Sequence, residues 1–375
     1  MPSREHFEVV IVGGGIAGAS LAYFLSERGM TDVLLLERES QPGYHSTGRS
    51  AAVLVEWDAI PALQELKALG GAFLRHPPAG FSEQPLLHPN GVLIAFQGPA
   101  WPAVRDLVPR LGQRGTTAQV LSQSEVCHRL PVLAPSYFDG AVLLSEDGHI
   151  DVHELLWSYL RRAAQRGVQR RCGVEVTGLR VDGTRCRGVI TTSGDLEARW
   201  VVNAAGAWAG TVAQFGGAAP IPITPHRRTI ITFAAPDDLE VSHWPLFTNE
   251  SHHLYFAPES GGLFASPMDE QPMAPCDVQP DDLTVAEVID RLGRLAPRLV
   301  PKTIRRKWSG LRSFSPDRVL VVGEDPQVKG FFWLAGQGGC GIETSPAVGA
   351  IAADLLLTGR TERYDAAVLS PTRFA

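Results

Sequence analysis

The chain has 375 residues, room for two domains or three at about 150 residues each. With 44% hydrophobic and 20% charged residues it is not a disordered chain, and its net charge, 34 − 40 = −6 with a pI near 6.0, offers no basic face for nucleic acid or an anionic membrane. The five cysteines (127, 172, 186, 276 and 340) share no CxxC spacing, which argues against a disulfide scaffold and a structural zinc site; no metal is expected. No apolar run approaches the roughly 18 residues of a membrane span, and the first apolar strand starts at Phe7, which leaves no room for a signal peptide. The expectation is a soluble, cytoplasmic protein.

Val9 to Val12 is a continuous apolar run, the pattern of a strand buried on both faces of a parallel sheet. Gly13-Gly14-Gly15-Ile16-Ala17-Gly18 follows at once and matches G-x-G-x-x-G. Leu21, Ala22 and Leu25 repeat at helical spacing, Gly29 supplies a stop, and Val33 to Leu36 form a second strand ending at Glu37. In this pattern Gly13 allows the tight turn, Gly15 lets backbone approach a pyrophosphate, and Gly18 lets helix and strand pack closely. The helix start offers free N–H groups to that anion, and Glu37 is placed to accept hydrogen bonds from a ribose. Residues 39–52 then form a polar, glycine-rich loop suited to lying along an extended cofactor.

Further on, helices are expected at 59–75, 102–112, 122–130 and 284–295. Another runs from Asp151, as its cap, to Arg166. Strands are expected at 91–96, 172–181, 185–193, 200–205, 228–234, 253–257, 261–266, 319–323 and 331–335. A last long helix has Ser345 as its N-cap, Pro346 in its first turn and Gly359 past its end. The fold class is α/β: a Rossmann-type nucleotide domain in discontinuous pieces (1–80, 148–218 and 318–375), with an antiparallel-sheet substrate domain inserted (81–147 and 219–317).

The segments GGGIAGAS (13–20), QPGYHSTGRSAA (41–52), PPAGF (77–81), NAAGAW (203–208), PHRR (225–228), WSGLRSF (308–314) and FFWLAGQGG (331–339) together resemble the D-amino-acid oxidase and glycine oxidase superfamily of FAD enzymes. The resemblance is nearest to the bacterial D-arginine dehydrogenases. It implies FAD, with its ADP half on Gly13, Gly15, Gly18, Glu37 and Arg38. Ser46, Thr47, Gly48, Arg49, Ser50, Ala51, Ala52 and Val53 would run along the pyrophosphate and flavin. Val176 would hold the adenine, Ala205 and Gly206 would pass beneath the cofactor, and Gly338, Gly339, Cys340, Gly341, Ile342 and Glu343 would edge the isoalloxazine. The family's carboxylate-binding residues fall on Arg228, Arg312 and Tyr255, with Gly339 and Glu343 near flavin and substrate. Its sarcosine oxidases bind flavin through a cysteine whose position here is Gly310, so the FAD is expected to be non-covalent.

The departures bear on the substrate. Where D-arginine dehydrogenases carry a glutamate for the substrate guanidinium this chain has Val92. Their active-site histidine, threonine and lid tyrosine fall on Val53, Val55 and Asp58, and a glutamine beside the flavin becomes Glu343. Glu56 and Asp58 are expected to be surface acids, and Cys340 a small residue filling a tight turn. The expected reaction is FAD-dependent oxidation of an α-amino acid, of D configuration with a small or apolar side chain. Hydride leaves Cα for flavin N5, giving the imino acid and then the 2-oxo acid, and an electron acceptor such as oxygen or a quinone completes the cycle. The alternatives are a glycine- or sarcosine-type amine or a 2-hydroxy acid, the last needing a base such as His252 or His253, or a flavin redox sensor without catalysis.

Overall fold

The computed structural model describes residues 5–112, 117–259 and 261–374. Two sheets organise them. In the first, five strands run parallel in the order Gln169–Cys172, Val33–Glu37, Glu5–Val12, Gly194–Asn203, Phe331–Ala335. A hairpin of Val176–Asp182 and Arg185–Thr191 adds antiparallel to the early half of Gly194–Asn203, and Val321–Glu324 adds antiparallel to Phe331–Ala335. The apolar run of the first strand is explained by cover on both sides. Val9 and Ile11 pack into one core with the helices Ile16–Glu27, Val152–Gln165 and Gly341–Thr358. Val10 and Val12 pack into another with Ala209, Val212 and Ala213.

The second sheet has nine strands. Thr224–Phe233 is its spine, paired along its length with Ile304–Phe314 and on its other edge with Gly262–Ser266 and Gln271–Pro272. The order continues through Leu254–Glu259, Leu246–Asn249, Val92–Phe96 and Gly140–Leu144 to Ala118–Ser122. All pairs are antiparallel except Leu246–Asn249 with Val92–Phe96. One face carries the helices Gln123–Arg129 and Asp282–Leu295 over a core of Leu93, Phe247, Phe256 and Val288. The opposite face, with Val92, Ile94, Ile230, Leu246 and Phe264, receives Val53, Val55, Trp57 and Tyr255. A small sheet of Val53–Leu54, Gly148–Ile150 and Leu87–His88 stands between the two large ones in sequence.

Asp151 caps its helix by accepting a hydrogen bond from Glu154 N–H, as expected. Ser345 does not cap the last helix. That helix starts one turn earlier, at Gly341, with Cys340 as N-cap, and Pro346 lies inside it. The missing N–H of Pro346 would have bonded Ile342 C=O, and the Ser345 hydroxyl donates to that carbonyl instead at 2.9 Å. Gly359 closes the helix in the left-handed region, φ 73°. The strand expected at 200–205 begins at Gly194, and the strands Ala118–Ser122 and Leu246–Asn249 had no sequence signal strong enough to find.

Candidate active site

The glycine turn is as tight as its sequence demands. Gly13 has φ 114°, and a Cβ there would lie 2.4 Å from Ala204 O; at Gly18 it would lie 2.0 Å from Gly13 O. Gly14 N–H donates to Glu37 Oε2 (2.9 Å) and Glu39 N–H to Glu37 Oε1 (2.8 Å), which fixes the carboxylate at the end of its strand. Ile16 N–H donates to Thr47 Oγ1 (3.0 Å), so the polar loop lies over the helix start. Ser46 donates to Leu311 O (2.6 Å). Arg49 reaches Asp277 and the carbonyls of Val278 and Ser309, and its own carbonyl accepts from Trp308 Nε1 (2.9 Å). Gly48 N–H closes a turn onto Gly43 O (2.7 Å). Arg38 stacks on Trp208, its guanidinium carbon 4.2 Å from the ring centre. Val174 N–H donates to Glu37 O, which brings Val176 to the same end of the sheet.

A cleft runs from Gly15, Ile16 and Thr47 past Ala204 and Gly206 to Arg228, Tyr255, Arg312 and Gly338. A wider opening continues from it. Ser50, Ala51, Arg228, Tyr255, Arg312, Gly338, Gly339 and Ile342 border both, and Ala52, Val53, Cys340 and Glu343 border the second. Of the residues singled out in the sequence, Gly13, Gly18, Glu37, Arg38, Gly48, Val176 and Ala205 do not border either space; they shape the turn, strand ends and loop around it.

Arg228 and Arg312 reach this cleft from neighbouring strands. Arg228 stands opposite Gly310, and Arg312 opposite His226, so the two arginines lie diagonally on one face of the sheet. Arg228 is buried, 5% exposed, with Nε donating to Asp269 O (2.9 Å) and Nη2 to Glu270 (2.8 Å). Burial first, then the charge of Arg312, pulls Arg228 down to about 10. Among the described residues no carboxylate pairs with Arg312, whose guanidinium lies against Gly339: a Cβ there would sit 2.8 Å from Nη1. Arg227, next in sequence to Arg228, alternates to the other side and binds Asp269, Thr284 and Asp281.

The wall across the opening holds a feature the sequence reading missed. Lys67, 7% exposed, pairs with Asp58 (2.8 Å) and Glu343 (3.3 Å), and Val55 N–H donates to the other oxygen of Glu343 (2.8 Å). The signal was present in the helix Pro61–Arg75. Lys67 falls on the stripe of Leu63, Leu66, Gly70 and Leu74, where a lysine must find a partner. Gly70 brings that helix onto the last one, since a Cβ there would lie 1.9 Å from Glu343 O. Burial pushes the Glu343 carboxyl up, with Lys67 opposing.

Two expectations need correction here. Glu56 is not a surface acid: it is 4% exposed and pairs with Arg75 (2.6 Å), because Arg75 and the buried Asp147 enclose it. Asp58 is partly buried and held by Lys67. His252 is turned away onto Gln97 (2.9 Å) and Tyr137, whereas His253 borders the opening. Cys340 fills its turn as expected; burial raises its thiol to about 12, so it is not a ready thiolate. Among the described residues no group of acids, histidines and cysteines could hold a metal ion, and no helix is long and apolar enough to cross a membrane.

These features define an α/β protein with a dinucleotide-binding cradle. The FAD dependent oxidoreductase family (DAO) matches residues 8–355, and the chain belongs to that family. It is 25% identical to the hydrogen cyanide synthase subunit HcnC of Pseudomonas aeruginosa over 98% of this chain and 96% of that protein. It is 26% identical to the 4-methylaminobutanoate oxidase (formaldehyde-forming) of Paenarthrobacter nicotinovorans over 100% of this chain, which spans 46% of that protein's length. Its fold is that of L-proline dehydrogenase from P. horikoshii, with TM-score 0.88 and 22% identity covering 99% and 98% of the two chains. The cofactor is FAD, and the structure fits it: a turn that rejects any Cβ at Gly13 or Gly18, a fixed acid at Glu37, and a cleft that starts beside them at Gly15, Ile16 and Thr47.

Proposed function

We propose that the chain oxidises an α-amino acid, of D configuration with a small or apolar side chain, to the imino acid and then the 2-oxo acid. The observation that carries this is Arg312. It is a guanidinium at the junction of the two halves of the cleft, with no carboxylate partner among the described residues, beside the buried Arg228. A substrate carboxylate supplies the missing charge and can be held bidentately, which fixes the angle at Cα as well as its position. Tyr255 borders the same space and adds a hydroxyl. FAD, when bound, supplies the two-electron acceptor. The segments 1–80, 148–218 and 318–375 would hold it, and 81–147 and 219–317 would bring the substrate-binding arginines. Hydride leaves Cα once the amine is neutral.

Side-chain preference follows from the wall. Val53, Val55, Ile94, Leu246 and Met268 border the opening, and Val92 is buried behind them. Of the acids near them, Glu56 is bound to Arg75, while Asp58 and Glu343 share Lys67. Beyond the substrate's own ammonium, a side-chain cation held against these apolar residues would lose its water at a cost of several kcal/mol, while an apolar side chain gains about 25 cal/mol per Å². A secondary amine is the second reading, favoured by relatives such as 4-methylaminobutanoate oxidase. Anaerobic bleaching of the flavin against D- and L-amino acids, N-methyl amino acids and 2-hydroxy acids tests both. Small or apolar D-amino acids should react with the highest kcat/KM. Preference for D-arginine would overturn the side-chain assignment, and reaction with N-methyl amino acids alone would establish the second reading.

A further inference from the structure

The amino-acid reading leaves one proton without a destination. An amino acid arrives as an ammonium, and Cα can release hydride only when the nitrogen lone pair is free. We propose that Glu343 accepts that proton, and that Lys67 and Asp58 hold the charge that lets it do so; the proposal rests on the amino-acid reading. In the step itself the ammonium N–H bond breaks and an O–H bond forms on the Glu343 carboxylate. The electron pair stays on nitrogen, and the proton returns to water through the open side of the cleft.

The placement supports this. Glu343, in the first turn of the last helix, lies four residues after Gly339, whose backbone abuts Arg312, and the acid and the carboxylate anchor border the same opening. Both oxygens of Glu343 are already held, one by Lys67 and one by Val55 N–H, yet each keeps a second lone pair. Two carboxylates share one ammonium, so the triad carries −1 −1 +1 = −1, enough for one substrate cation. Desolvation makes the Glu343 carboxyl a stronger base than a solvated one. The other groups facing the triad are distributed around it. Arg75, Glu56 and Asp147 lie behind, Cys340 sits at the start of the same helix, Arg312 reaches in from Ile304–Phe314, and Tyr159 touches Ser345 from Val152–Gln165.

The experiment is the pH profile of kcat/KM in the FAD-loaded enzyme, with a reactive amino acid from the panel. Wild type should lose activity as pH falls through the Glu343 pKa. Glu343→Gln should move that acid limb up to the substrate amine's own pKa, costing about 10²-fold near neutrality and less as pH rises. Asp58→Asn removes a charge that raises the Glu343 carboxyl, so it should move the limb down. A binding readout separates this from a structural role. Glu343→Gln should weaken an α,α-dialkyl amino acid, which has no Cα–H, by about tenfold. It should leave a carboxylate without an amine unaffected. Amino acid oxidation with an acid limb unmoved in both variants overturns the proposal alone. Failure of wild type to oxidise any amino acid overturns the amino-acid reading and the proposal with it.

Discussion

Between Gly13 and Thr47 the end of the cleft is shaped by backbone: a turn without Cβ atoms and one carboxylate fixed by two N–H groups stand behind it, and the helix start at Gly15 and Ile16 borders it. Between Arg228 and Glu343 the cleft is lined with side chains brought from separate places in the chain, apolar ones interspersed with charged ones that are mostly paired. The first kind of surface accepts one ligand shape and tolerates little change, because every added atom meets main chain. The second can change its ligand by a single substitution, because its charges are held by side chains and not by main chain. A constant cofactor and a variable substrate call for that division of labour.

The largest effect should follow from breaking the backbone half. Gly13→Val combines a left-handed φ with a Cβ 2.4 Å from Ala204 O, and Gly18→Val places a Cβ 2.0 Å from Gly13 O. Either variant should be recovered without flavin, read as the ratio of absorbance near 450 nm to 280 nm (~0 on the order of the apoprotein). Wild type should release all its flavin as free FAD on acid precipitation, since Gly310 stands where a linking cysteine would be. Yellow colour left in the pellet would show a covalent bond, and full flavin content in Gly13→Val would break the contrast at its root.

Next comes the anchor on the side-chain half. Arg312→Ala should keep its FAD yet lose about 2–5 kcal/mol of transition-state binding, through both docking and alignment. Arg228→Ala should cost a similar amount and also free Asp269 O, leaving Glu270 to Arg318 alone. Titration with a simple carboxylate inhibitor should show the same loss in Kd. Near wild-type kcat/KM in Arg312→Ala with normal flavin content would remove the carboxylate assignment.

The same division explains what could be read from sequence. The strand, turn, helix and Glu37 follow one another within 30 residues, so local pattern was enough for the cradle, and the apolar run at Val9–Val12 announced a sheet covered on both faces. Arg228 and Arg312 were legible only through resemblance, because their meeting depends on the register of two strands 80 residues apart. Lys67 was missed because its partners, Asp58 and Glu343, lie 9 residues before it and 276 after it, and a lone charge on an apolar stripe does not name its partner. Ser345 was misread as a cap for a related reason. Ser-Pro favours a helix start, but here the hydroxyl repairs the carbonyl that proline leaves unbonded.

The smallest effect lies behind the cleft and sharpens the account of its paired charges. Asp147 is 1% exposed and accepts from Glu56 N–H (2.7 Å) and Arg75 (2.8 Å). Burial pushes its carboxyl up to about 8; the Glu56 N–H opposes this and the Glu56 carboxylate adds to it, while Arg75 opposes it more weakly. A carboxyl whose folded pKa lies above its unfolded value near 3.9 stabilises the fold fully below that unfolded value. The contribution is lost as pH rises through about 8, because the folded state must then hold a second buried carboxylate beside Glu56. Wild type should therefore lose melting temperature as pH rises from 6 to about 8. Asp147→Asn, neutral at both, should lose less, the difference being about 1 kcal/mol, or ~2–4 °C, after Arg75 takes its share. Parallel melting curves for the two proteins across that window would mean that Asp147 is already ionised at pH 6. Arg75, wedged between Glu56 and Asp147, would then outweigh their burial, and the charges behind the cleft would be as firmly paired as Lys67 makes those that line it.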